Sequence, residues 1–440
     1  MEVGEVDHPF DRSFVRSISI KKEISIVRFI LDTYYKLSWN SIDDGVTLLG
    51  ICPVSRSTVS ASIELAKFMC SPIMFITTLN QVDIDGGYTG LTHKDFINLV
   101  RRECEKLGFW GPVIIALDHG GPWLKDRHVA ERLSLEDAME WTRKSIESCI
   151  KAGYDLLHID ATRDIWIQEE SLGMDVVIER TVSLIEYAET VRREEGIPRL
   201  DYEVGTEEVH GGLTSPRLFE EFIIRLKIKL KESGLEDVWP CFIVGNIGTN
   251  LTIENELKYD EARMLVDIAR RYGLYLKGHY TDFVVNPEKY PKAKIGGANI
   301  GPELAYVEYL AIEELSTIEE TLFEKKYIME TSSIIEKLNE MIINDNRWKK
   351  WLTRGERNLK FSQLSPERKR WLLGTCSRYF LSHPETFKLR EQLYKSLETY
   401  GINADERIRM RIWDVLKKYV KAFNLRNFKL LLEERLIKEL

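Results

Sequence analysis

Val113-Ile-Ile-Ala-Leu-Asp-His-Gly-Gly-Pro122 is an apolar run that breaks off into an acid, an imidazole and two glycines. Its length suits a buried strand, and Asp118 and His119 at its end need solvent, a metal or a substrate. A strand that delivers such a pair at its carboxyl end is the usual arrangement of active sites in α/β proteins. The same design recurs on either side. Short apolar runs at 45–52, 72–78, 112–118, 154–160, 199–206, 239–246, 273–279 and 293–300 alternate with amphipathic segments at 57–70, 92–107, 134–152, 173–196, 216–234 and 258–272. Eight strands with intervening helices predict a (β/α)8 TIM barrel over 44–317 rather than an open sheet. Thr92, Ser134 and Ser215-Pro216 mark helix starts.

Residues 1–43 are expected to form a strand or helix that covers the barrel bottom. Beyond about 318 the strand signal stops, and 318–440 read as a C-terminal all-helical extension that packs on the barrel, since no glycine-rich linker precedes it. Its basic run from Arg347 to Arg370 reads first as a solvated helix face, with Arg354, Arg357 and Arg378 as cations able to reach a phosphate.

The chain has 440 residues, 44% hydrophobic and 30% charged, enough for a large buried core. A net charge of −8 argues against general nucleic-acid binding. Six scattered cysteines without a C-x-x-C pair argue against a disulfide framework and a zinc ribbon. The acidic start and the lack of any run near 18 apolar residues argue against a signal peptide or membrane span, so a cytoplasmic enzyme is the expected class.

Polar groups stand at nearly every predicted strand end. They are Ser55, Asn80 and Gln81, Asp118 and His119, His158 and Asp160, Glu203 with Glu207, Glu208 and His210, Asn246, His279 with Asp282, and Asn299. A lone strand-end histidine is more often structural, but a barrel needs so many polar ends only around its open mouth. Imidazole plus carboxylate is a ligand set for catalytic Zn²⁺, Mn²⁺ or Co²⁺. His119, His279 and either Glu207 or Glu203 would hold the ion, which would polarise a carbonyl, with Asp118 and Asp160 as acid and base. His158 and Asp160 share parity along one strand, as do Glu203 and Glu207, and Lys277 and His279. Parity therefore cannot choose between the two glutamates. Lys277 could equally be a phosphate contact, an ion-pair partner of Glu203 or, with Lys294, a Schiff-base lysine. Ile295-Gly-Gly-Ala-Asn-Ile-Gly-Pro302 offers backbone N–H groups ahead of a helix start, where such barrels often bind phosphate.

Several stretches together resemble the family of the Z-type subunit of class II D-tagatose-1,6-bisphosphate aldolase. These are Gly50-Ile-Cys-Pro-Val-Ser55, Asn80-Gln-Val82, Gly86-Gly-Tyr-Thr-Gly90, Asp118-His-Gly-Gly-Pro122, His158-Ile-Asp-Ala161, Gly205-Thr-Glu207, His279-Tyr-Thr-Asp282 and Gly301-Pro302. The tail with Trp348-Lys-Lys-Trp351 resembles it too. The resemblance implies a TIM barrel, ketohexose-phosphate metabolism and an accessory role beside a catalytic aldolase subunit. The tagatose-6-phosphate kinase label carried by some relatives finds no support here, since no G-x-x-x-x-G-K-[ST] loop is present.

The chain is also similar, over fewer residues, to the metal-dependent tagaturonate and tagatose 4-epimerases, through Asp118-His119, Tyr202-Glu-Val204 and His279 with Asp282. Glu203 and His210 depart from the bacterial aldolase subunits and favour a self-sufficient metal site. Three expectations follow. The chain is an enzyme acting at C4 of a ketohexose or ketohexose phosphate by 4-epimerisation or aldol chemistry, with Ser55, Asn80, Gln81, His158, Asn246, Lys277, Asp282 and Asn299 as substrate contacts and Asp118, Asp160 and Glu203 as catalytic groups. Alternatively it is a non-catalytic subunit that stabilises an aldolase, or a Schiff-base aldolase. A homo-oligomer is expected in each case.

Overall fold

A computed structural model of the chain describes residues 8–38, 45–167, 172–205 and 215–439. All eight apolar runs form parallel strands: β1 (Leu48–Ile51), β2 (Ile73–Thr78), β3 (Val113–Gly120), β4 (Leu156–Ile159), β5 (Asp201–Gly205), β6 (Phe242–Val244), β7 (Tyr275–Gly278) and β8 (Gly297–Ile300). Each pairs with the next, and β8 closes on β1 through Leu48–Gly297 to Ile51–Ile300. The expected (β/α)8 barrel is what the chain forms.

Helices α1 (Phe14–Lys21) and α2 (Ile26–Ser38) precede the barrel. Around it lie α3 (Arg56–Met69), α4 (His93–Leu107), α5 (Asp126–Ala130), α6 (Leu135–Ala152), α7 (Met174–Glu194), α8 (Pro216–Glu232), α9 (Tyr259–Arg271), α10 (Lys289–Ala293) and α11 (Pro302–Glu324). The anticipated starts hold locally. Thr92 and Asp95 form a reciprocal capping box, Ser134 accepts from the Asp137 amide, and Pro216 opens α8 behind Ser215.

The N-terminal helices cover the amino ends of the strands. Arg16 of α1 reaches Asp155 at the foot of β4, with Nη1–Oδ1 at 2.5 Å and Nη2–Oδ2 at 3.0 Å, and donates to the Val113 carbonyl at the foot of β3. Ser25 donates to Asp201 at the foot of β5, and the Tyr275 hydroxyl of β7 to Asp32 of α2. A buried guanidinium demands a carboxylate and a carbonyl, so these contacts pin the cover in one position.

The tail adds α12 (Ile334–Asp345), α13 (Pro366–Cys376), α14 (Pro384–Glu398), α15 (Ala404–Ala422) and α16 (Phe428–Glu439). Leu381, Leu393, Ile408 and Ile412 of the tail belong to the same continuous apolar core as the strands. The eighth barrel helix, α11, runs to Glu324, so the expected boundary at 317/318 falls inside a helix whose Leu304, Ile312 and Leu315 belong to the barrel's core and which packs on α13 and α15 of the tail. A second cluster around Trp348, Trp371, Leu338 and Tyr309 builds the part of the tail above the barrel mouth. At the other end, Arg435 of α16 donates to the backbone carbonyls of Thr33 and Tyr34 in α2. Among the described residues no helix is long and apolar enough to cross a membrane.

Candidate active site

Neighbours in a regular strand point to opposite faces, so Asp118 and His119 should not share a site. The structure resolves this with a bulge. Leu117 pairs with Leu157 but Gly120 pairs with Ile159, so β3 carries one residue more than β4 over the same span. His119 lies in that irregularity with φ 53°, an uncommon conformation for a side-chain-bearing residue. Beyond it, a Cβ on Gly121 would stand 1.5 Å from the Asp160 carbonyl oxygen, which is why the motif continues in glycine.

Asp118, His119, His158 and His279 come together so that one ligating atom of each lies within 4.8 Å of the others. The three imidazole centroids are 4.9 to 5.2 Å apart. His158 Nδ1 is 3.1 Å from Asp118 Oδ1. His119 Nδ1 is 2.6 Å from Asp160 Oδ2, and His279 Nε2 is 2.9 Å from Glu203 Oε1. Since a carboxylate only accepts, Nδ1–H of His119 donates to Asp160, and Nε2 lies 4.0 Å from Asp118 Oδ2. Imidazoles oriented by outer carboxylates are the usual setting of a metal ligand, and three nitrogens plus one carboxylate oxygen suit Zn²⁺, Mn²⁺ or Co²⁺. The donor set therefore fits a divalent ion.

The charges support one another. Burial pushes the Asp118 carboxyl up, but His119, His279, His158 and Lys277 outweigh it and hold the group well below the usual carboxylate range. Glu203 is pushed up by burial and pulled down further by Lys277, His158 and His279, to about 2. Its other oxygen lies 2.5 Å from Lys277 Nζ, and both side chains are sealed from solvent. Asp282 behaves oppositely. Burial and the nearby Glu303 raise it to about 7 despite donations from the Gly301 and Glu303 amides.

Above the cluster opens a cavity of about 290 Å³. Asp118, His119, His279, Asp282 and Asn299 line its barrel side, and Asn80, Gln81, Tyr88 and Cys52 form a wall. Its roof comes from the tail: Lys350, Trp351, Arg378 and Tyr379. Both amide atoms of Asn299 are buried without a hydrogen-bond partner among the described residues, so a polar side chain faces the cavity ready for a ligand. Gly50 makes room for it, since a Cβ there would lie 2.2 Å from Asn299 Oδ1.

The expected residues distribute as follows. His119 and His279 meet as anticipated, and Asp118 and His158 join them as possible ligands rather than as proton-transfer and sugar-contact groups alone. Asp160, Glu203 and Lys277 lie beneath the cavity and position the histidines; the pairing of Lys277 with Glu203 was one of the alternatives left open. Asn80 and Gln81 line the cavity but also tie their own loops, Asn80 through the Leu124 carbonyl and the Asp126 amide, Gln81 through the Thr78 amide. Ser55 does not reach the cavity. It caps α3 and donates to the buried Glu308, because its hydroxyl stands where the helix leaves an amide unsatisfied. Asn246 is outside the lining and accepts from the Gly248 amide. Glu207, Glu208 and His210 lie outside the described residues.

The glycine-rich stretch before Pro302 does not offer an open anion site, since Asp282 already occupies the Gly301 and Glu303 amides at the start of α11. Lys294 stands before β8, at the foot of the barrel, and Lys277 is consumed by Glu203, so neither suits a Schiff base. Of the three tail arginines, only Arg378 lines the cavity. Arg163, Lys350, Trp351, Tyr88 and Tyr379 carried no strand-end signal, although Tyr88, Lys350 and Trp351 fall in stretches recognisable by resemblance.

The family model described as D-tagatose-1,6-bisphosphate aldolase subunit GatZ/KbaZ-like matches residues 36–409. A crystal structure described as a probable tagatose 6 phosphate kinase from Sinorhizobium meliloti 1021 superposes with a TM-score of 0.71 at 20% identity, covering 86% of this chain and 100% of that one. The fructose-bisphosphate aldolase of Campylobacter jejuni superposes with a TM-score of 0.51 at 10% identity, over 91% of this chain and 95% of the other. At these identities the two structures share the fold.

Proposed function

The chain belongs to the D-tagatose-1,6-bisphosphate aldolase subunit GatZ/KbaZ-like family, and from that membership in a family of carbohydrate metabolism we propose that it acts at C4 of a ketohexose or ketohexose phosphate with a bound divalent metal. The observation that carries the reading is the Asp118–His119–His158–His279 cluster beneath the cavity, with Asp160 and Glu203 orienting two of its imidazoles. When bound at these four residues, the ion would polarise the ketose carbonyl and stabilise the charge that develops on its oxygen.

The chain's own groups would supply the rest. A carboxylate facing the cavity takes the proton from the C4 hydroxyl, the C3–C4 bond breaks, and its electron pair passes to C3 beside the carbonyl. C4 becomes an aldehyde. Rotation of that fragment and re-formation of the bond on the other face inverts C4, whereas departure of the fragment is aldol cleavage. Asp282, on the cavity wall and raised to about 7, suits taking that proton and returning it, which leaves Asp118 to the ion. Trp351 and Tyr379 over the mouth would keep water from the cleaved fragments.

The test is to incubate the purified chain with Mn²⁺, Zn²⁺ or Co²⁺ and follow fructose, tagatose and their phosphates by NMR. Epimer or triose formation that disappears in His119→Ala and His279→Ala supports the reading. The family description favours a second one, an accessory subunit that stabilises a separate catalytic aldolase. Absence of turnover by the metal-loaded chain, together with a longer-lived aldolase when the two are mixed, would favour it.

A further inference from the structure

Arg378 sits in the short turn Ser377–Tyr379 after α13, with only 6% of its surface exposed. One end of its guanidinium donates to the Thr375 carbonyl and the other to the Tyr379 hydroxyl at 2.8 Å, and it stacks on the rings of Tyr379 (4.4 Å) and Trp351 (4.9 Å). Among the described residues no carboxylate makes an ion pair or hydrogen bond with it, and Asp282 of the same cavity acts on it only at longer range. A buried cation without a counter-ion is costly unless an anion completes it. The group lines the cavity, so the missing anion would arrive there. Arg163, also without an ion-pair partner among the described residues, lines the same space, as does Lys350, held at 2.6 Å by Asp126.

We propose that Arg378, assisted by Arg163 and Lys350, binds the phosphoryl group of a ketohexose phosphate, so that the helical tail supplies the residue distinguishing phosphorylated from free sugars. The proposal rests on the preceding reading for the sugar itself. Three cations suit a dianion better than a single carboxylate, and a planar guanidinium presents paired donors to phosphoryl oxygens. The polarity of the cavity agrees in part: Asp118 and Asp282 are on the barrel side and the cations toward the roof and rim, where Asp126 already neutralises Lys350 and leaves Arg378 and Arg163 for the anion. A sugar would then lie with its carbonyl toward the histidines and its phosphate toward the tail. The usual phosphate position of such barrels, at the helix after β8, is filled here by Asp282.

The test is calorimetric binding of tagatose 6-phosphate, fructose 6-phosphate, the free ketoses and a keturonate to the full chain, metal-free and metal-loaded. Arg378→Gln should weaken both phosphates by about 10- to 100-fold, the scale of one lost charge-assisted hydrogen bond, while the free sugars bind nearly as before. Arg378→Lys should fall between. The exposed Arg354→Gln should match the parent chain. Should Arg378→Gln fail to fold by circular dichroism, Lys350→Gln and Arg163→Gln carry the same comparison with smaller losses.

Equal weakening of free and phosphorylated sugars would overturn the proposal, as would unchanged affinity for the phosphates. A keturonate bound as tightly as the phosphates, and lost equally in Arg378→Gln, would overturn the phosphoryl assignment. The two readings separate cleanly. Phosphate selectivity through Arg378 without C4 turnover would sink the proposed activity alone; turnover with an unchanged phosphate affinity in Arg378→Gln would sink this one alone.

Discussion

His119 Nδ1 and Asp160 Oδ2 lie 2.6 Å apart, joining the bulged residue of β3 to the residue that follows β4. Asp160 also accepts from the Thr162 hydroxyl and amide, so its carboxylate is fixed on two sides. Replacing it as Asp160→Asn removes the charge that orients the imidazole and keeps the shape. Metal affinity should fall about 10- to 100-fold, the usual loss for an outer partner of a ligating histidine. Titration of the apo chain with Zn²⁺ or Co²⁺, read by calorimetry, would check this; unchanged affinity would remove Asp160 from the site.

Chelation gives a second test, independent of turnover. An ion held by Asp118, His119, His158 and His279 binds the folded chain alone, and at a hundredfold excess over Kd it should stabilise by about 2.7 kcal/mol. The melting temperature should therefore drop when the metal is stripped and return on re-addition. In His119→Ala the added ion should have almost no effect.

Lys277 and Glu203 are buried together with 2.5 Å between Nζ and Oε2. Removing one partner leaves the other charge without compensation, so Lys277→Met should destabilise the chain by about 3–5 kcal/mol in urea titrations. Adding Glu203→Leu should recover a large part of that loss while still impairing activity, because His279 loses its acceptor. A double variant no more stable than Lys277→Met would refute the pairing as the cause.

The floor predicts an acid-dependent stability. Burial raises the Asp155 carboxyl, but Arg16 and His8 more than offset this and hold it below its ordinary range. A lowered folded value means that the contribution is complete above the unfolded pKa of about 3.9 and disappears as pH falls through the folded one. Urea midpoints of the parent chain and Asp155→Asn should thus differ by a constant amount above about pH 5 and begin to converge only as the pH falls from about 4 toward the folded value. A difference independent of pH would contradict the ion pair.

Gly121→Ala tests the backbone. The new Cβ would meet the Asp160 carbonyl, which cannot rotate aside, so β3 and the segment after β4 must separate. A loss of metal binding together with a lower melting temperature is expected; full retention of both would show that the contact relaxes without consequence.

The barrel was readable because each buried parallel strand leaves a compact apolar run and each covering helix a 3.6-residue rhythm. Parity placed His158 with Asp160 and Lys277 with His279, since those pairs lie on or just beyond regular strands. It could not place His119 beside Asp118, because an extra residue in a strand has no periodic signature. Ser55 looked like a strand-end ligand, but a serine before a helix serves its amides equally well. The roof was legible only in fragments. Arg378 was named with Arg354 and Arg357, but nothing local set it apart from them, because its position depends on how α11 and α13 pack, a contact no local pattern encodes.

The attachment of the tail to the mouth also orders events during synthesis. Ile300 completes β8 and allows the barrel to close, whereas Arg378 emerges 78 residues later. At about 5–20 residues per second, that is an interval of roughly 4–16 s in which a closed barrel can exist with its histidine cluster assembled but its cavity unroofed. On the proposed reading, a nascent chain could take up the ion before it can select a sugar, so metallation and substrate discrimination would be separate steps in the maturation of one polypeptide.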